Sequence, residues 1–136
     1  MPAPPRRTGG GPVNAAQQPT ATVPVDLEKM RETVRALLNA DGGPVLPEPP
    51  DRQVKVLTEL LRGHLELMLR EVETTVERLP DTITRYCALA CVGEARGKLH
   101  ARPAARPGGA VAYARRLARV LAALCDHHEL MDGEPG

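Results

Sequence analysis

Cys87 and Cys91 stand one helical turn apart, and Cys125 is followed closely by His127 and His128. With His64, these are the side chains best suited to hold a metal, because zinc takes four nitrogen or sulfur ligands in a tetrahedron. The set Cys87, Cys91, Cys125 and His128 has the right ligand chemistry, yet its spacing matches none of the paired patterns that mark zinc sites. Cysteine in a helix also packs as a small buried apolar residue. We adopt that reading and expect no metal and no cofactor. A di-iron centre in a helical bundle uses Glu-x-x-His pairs, and none of His64, His100, His127 or His128 has Glu three positions earlier. A nucleophilic cysteine would need Cys125 beside His127 or His128. Positions two apart on a helix diverge and positions three apart only partly converge, so no catalytic residue is expected.

The chain has no Ser anywhere in its 136 residues. Serine hydrolase chemistry is thereby excluded, as is a carrier protein with its prosthetic arm on serine.

Charge supplies the other functional signal. The net charge is only +1, but Arg96, Lys98, Arg102, Arg106, Arg115, Arg116 and Arg119 follow one another with no acidic residue among them. Such a surface fits an acidic protein partner or nucleic acid. Recognition of single strands usually adds stacking aromatics, and this stretch holds only Tyr113. A protein partner is the preferred reading and nucleic acid the alternative.

The elements that must position these residues are helices. Residues 1–25 are rich in Pro, Gly, Ala, Gln and Thr with no period that could bury a face, so a disordered tail is expected. Asp26 is a candidate N-cap, and Leu27, Met30, Val34, Leu37 and Leu38 make a stripe on a first helix ending near Asn39. After a Gly- and Pro-rich connection, Asp51 is expected to cap a long second helix. Its stripe is Val54, Leu57, Leu61, Leu65, Met68, Val72, Val76 and Leu79, the spacing of a helix burying one side. Arg62, Glu66 and Arg70 lie one turn apart and read as a solvated face.

Pro80-Asp81-Thr82 breaks and restarts the chain. The third helix, 82–100, carries Ala88, Ala90, Cys91, Gly93, Ala95 and Gly97, small residues suited to close approach. Its Gly93-x-x-x-Gly97 pair is expected to admit close packing inside the bundle, with a homodimer as the competing account. Pro103, Pro107, Gly108 and Gly109 link it to a fourth helix with Val111, Ala114, Leu117, Leu121, Leu124 and His128 on one side, ending at Met131. The expected fold is all-α, an antiparallel four-helix bundle over 26–131 with a short tail at 132–136. Gly63 inside the second helix marks either a tight crossing or a kink.

Three cysteines without a paired framework suit a reducing cytoplasm. No apolar run approaches the roughly 18 residues of a membrane span, and the N-terminus lacks the apolar centre of a secretory signal.

Leu61-Arg62-Gly63-His64, Ala90-Cys91-Val92-Gly93-Glu94-Ala95-Arg96 and Leu124-Cys125-Asp126-His127 resemble segments of a family of small uncharacterised actinomycete proteins sometimes labelled as natural product biosynthesis proteins. The Ala, Arg, Pro and Gly bias suits such a source. The resemblance implies pathway association but no catalytic residue. The combined expectation is a non-catalytic accessory or regulatory protein acting on another protein or on itself, with a pathway enzyme as the alternative class.

Overall fold

The computed structural model describes residues 25–132. The N-terminal segment expected to be disordered lies outside those residues apart from Val25, as do residues 133–136 of the C-terminal tail.

Four helices form: α1 Leu27–Arg35, α2 Asp51–Val76, α3 Ile83–His100 and α4 Gly109–Asp132. Local chemistry fixes their starts. Asp26 Oδ1 accepts from the Lys29 N–H, and Thr82 Oγ1 accepts from the Arg85 N–H, each satisfying one orphan donor of a first turn. Asp51 differs from the expectation. Pro50 occupies the cap position and Asp51 is the first helical residue, where its carboxylate faces the positive end of the helix dipole. α1 also ends earlier than expected. The chain turns back at once, with Asn39 N donating to Gly43 O and Val45 N to Leu37 O, and Gly42 supplies the positive φ of 86°.

Each helix runs antiparallel to its neighbours in sequence, so α2 and α4 run parallel on one diagonal. Arg62 meets Tyr113 near the start of α4, and Glu71 meets His128 near its end. This diagonal pair makes the most extensive helix contact, while α1 and α3 flank it on opposite sides without touching each other.

All eight residues of the α2 stripe are buried, and they meet Leu117, Leu121 and Leu124 of α4. Tyr113 is the one aromatic side chain in this core. A fully buried Leu contributes roughly 1.5–3 kcal/mol, so Leu, Val, Met and Ala carry the fold.

The glycines divide sharply. Gly63 is exposed and a Cβ there would meet nothing, so it marks no tight crossing. Gly109, by contrast, lies against the Ala104 carbonyl, where a Cβ would overlap the backbone oxygen. Gly63→Ala is therefore expected to raise unfolding free energy by about 1 kcal/mol. Gly109→Ala should lower it by about 1–3 kcal/mol through forced backbone displacement. Urea denaturation of the two variants checks both signs.

Candidate interaction surface

The cysteines and histidines do not come together as a reactive centre. Cys91 on α3 and Cys125 on α4 are buried, whereas Cys87 is exposed. Burial pushes the Cys91 thiol up to about 11, with Glu94 and Asp126 adding to the shift. Burial likewise takes Cys125 to about 11, opposed by Arg31 and assisted by Asp126 and Glu129. Burial thus favours the protonated form of both at neutral pH, whereas nucleophilic attack needs thiolate. Among the described residues, no three His, Cys, Asp or Glu side chains are placed to hold a metal ion.

His128 is a polar member of the core, not a partner of Cys125. Its Nε2 lies 3.4 Å from Glu71 Oε2 and its Nδ1 3.8 Å from Asp132 Oδ2. His127 is half-buried, and its Nδ1 has no hydrogen-bond partner among the described residues. His64 Nε2 lies 3.2 Å from Thr33 Oγ1, and that hydroxyl already donates to Lys29 O, so the imidazole Nε2–H is the donor. Burial lowers the His64 pKa, opposed by Asp26 and assisted by Lys29. Below the ordinary imidazole range the unfolded chain therefore binds a proton that the folded chain refuses, and stability falls with pH. Unfolding free energies measured from pH 7 down to pH 5 should decline less steeply in His64→Gln than in the unsubstituted protein.

Arg62 departs from the solvated role expected of it. Its Nη1 donates to Tyr113 Oη at 2.6 Å and its Nη2 to Leu99 O at 3.1 Å, while Tyr113 Oη donates to Lys98 O at 3.1 Å. Leu99 O, left free at the end of α3, is thus satisfied by the guanidinium, while Lys98 O takes the phenol in addition to the Ala101 N–H. The guanidinium also places positive charge at the negative end of the α3 dipole.

The seven basic positions from Arg96 to Arg119 spread over several faces. Arg96 pairs with Glu73 of α2, and Arg115 approaches Glu48 of the proline-rich connection at 3.7 Å. Lys98, Arg116 and Arg119 line a groove between α3 and α4, together with Glu94. Arg119 also reaches Gly42 O at 3.4 Å. Arg102 and Arg106 are exposed on the connection before α4. Tyr113 is only 2% exposed, so it offers no ring for a base to stack on.

The outer side of α3 is the least expected feature. Ala88, Cys91, Val92 and Ala95 face the core. On the opposite side Ile83, Tyr86, Ala90, Gly93 and Gly97 recur by alternating threes and fours, all exposed. Ile83 is 80% exposed and Tyr86 74%, with Leu89 beside them at 44%. Both glycines point outward and a Cβ on either would meet nothing. That corrects the expectation that Gly93 and Gly97 serve close packing within the bundle. A smaller exposed apolar pair, Val56 and Leu60, lies on α2.

Residues 28–133 match a family of unknown function, DUF6415. The chain belongs to this family. No curated protein and no solved structure matches it.

The span shared with DUF6415 begins inside α1 and passes the end of α4, so the whole bundle is the family unit. Among the described residues of this DUF6415 chain, no helix is long and apolar enough to cross a membrane. The Arg62–Tyr113 tie had no sequence signal, since the two are far apart and their meeting depends on the α2–α4 diagonal. The outer α3 stripe did have one. Its three-and-four spacing is present in the sequence, but it was masked by the inner stripe half a turn away, so that no single apolar face stands out along α3.

Proposed function

We propose that this DUF6415 protein is a non-catalytic accessory or regulatory protein that works by protein–protein interaction, with the outer face of α3 as its docking surface. The observation that carries this reading is α3 itself, which is apolar on both sides while only one side is used in the fold. Contiguous exposed apolar surface in a water-exposed helix marks an interaction site, and Tyr is among the residues enriched at the centres of such sites. Catalysis draws no comparable support, since burial raises the Cys91 and Cys125 thiols and no histidine is seated against a cysteine.

Nucleic-acid binding through the basic residues is the weaker alternative, because Arg96 is paired and the only aromatic in that stretch is buried. We further place the protein in an actinomycete-type cytoplasm, in association with natural product biosynthesis. The sequence resemblance supports the pathway, and three free thiols support a reducing compartment.

A photo-crosslinking residue at position 86, introduced in the native host, tests the docking surface. Adducts with protein, more abundant than from the exposed position 59 on α2, are expected. Adducts with nucleic acid, or a yield no higher than from position 59, would refute the reading.

A further inference from the structure

We propose that the outer face of α3 docks on the same face of a second copy, with the two helices antiparallel about a twofold axis. This rests on the reading of α3 as a docking surface and names its occupant. The stripe is graded in size, large at its start with Ile83 and Tyr86 and empty at its end with Gly93 and Gly97. A symmetric partner must present the same surface to itself, and only an antiparallel arrangement sets the large end of one stripe against the empty end of the other.

One register satisfies every position. When Ala90 stacks on the partner's Gly93, Tyr86 stacks on the partner's Gly97, and Ile83 meets the ring of the partner's His100. Repetition by threes and fours keeps such a seam facing its partner along the helix. The charges agree with it. Asp81 lies just before the start of α3 and Arg102 just after its end, so an antiparallel pairing in this register puts the Asp81 end of one helix beside the Arg102 end of the other. Both are exposed, and among the described residues neither belongs to an ion pair within the chain. The glycines gain a reason as well. Each costs helix stability without any close contact in a single copy, whereas a second backbone lying over them requires the missing side chains.

Light scattering across a concentration series, with photo-crosslinking from position 86, tests this on the full chain. The expected particle has twice the mass of the chain, and adducts map to residues 93–100 of a second, isotopically distinguished copy. Tyr86→Lys, at an exposed position that leaves the fold intact, should weaken association about a hundredfold, the scale of losing a central anchor. Asp81→Arg or Arg102→Asp alone should weaken it about fivefold, and the double reversal should restore it. A single-chain mass at every concentration would overturn the proposal. So would a dimer indifferent to Tyr86→Lys, adducts to residues 83–90 of the second copy, or adducts to residues 1–24 of the same chain. A single-chain mass with adducts to a different protein would overturn self-association alone and leave the docking surface standing.

Discussion

Leu121→Ala is expected to lower unfolding free energy by about 3–5 kcal/mol, the range for deleting a buried Leu side chain and leaving its cavity. Leu121 has no exposure and belongs to α4, which like α2 is in contact with every other helix. The surrounding core offers little to fill the gap, because its members are Leu, Val, Met, Cys and Ala with a single Tyr. A domain of this size holds about 5–15 kcal/mol in total. The variant should therefore lose a large part of its stability, visible as a fall in denaturant midpoint at unchanged slope. Ile83→Ala removes a side chain of similar size and should shift stability by no more than about 0.5 kcal/mol, as surface substitutions do. Ile83 is 80% exposed and contributes nothing to the core.

Arg62→Met carries the second large effect, a loss of about 2–3 kcal/mol, since hydrogen bonds from a charged group are each worth more than neutral ones. The substitution keeps an unbranched aliphatic side chain at this position of α2 and removes the donors to Tyr113 Oη and Leu99 O. Arg62→Lys should recover less than half of the loss, because an ammonium lacks the planar fork that reaches both acceptors. Tyr113→Phe should cost about 1 kcal/mol through its lost bond to Lys98 O and the stranded guanidinium. A double-mutant cycle between Arg62→Met and Tyr113→Phe should give a coupling of about 1 kcal/mol. A coupling indistinguishable from zero would mean that the α3 terminus is held by packing alone.

Much of the fold was legible because burial repeats along the chain. The α2 and α4 stripes, from Val54 to Leu79 and from Val111 to His128, are buried at every named position. Asp26 and Thr82 cap the helices they precede, as short polar side chains at those positions do. Ends set by tertiary contact were less legible. α1 stops at Arg35 because Leu37 and Asn39 bond into the returning chain at Val45 and Gly43, and no residue before Asn39 announces it.

The candidate surface was readable only in half. Gly93 and Gly97 stood out as small residues, but composition does not say which way a small residue faces. Only the packing of Ala88, Cys91 and Ala95 against the core turns the glycines outward. The basic run from Arg96 to Arg119 shows the reverse limit, since neighbours in sequence are distributed by the helix turn and the α3–α4 connection onto different faces.

The account's central claim is that the outer face of α3 serves binding and not folding. It is tested most directly by replacing both Gly93 and Gly97 with Gln and measuring two quantities on the same sample, unfolding free energy and adduct yield from position 86. Gln is a better helix former than Gly, and nothing opposes its side chain in the single copy. The double variant should therefore gain about 0.5 kcal/mol per site in stability while its adduct yield falls to that of position 59. A variant that gains stability and keeps its full adduct yield would contradict the claim.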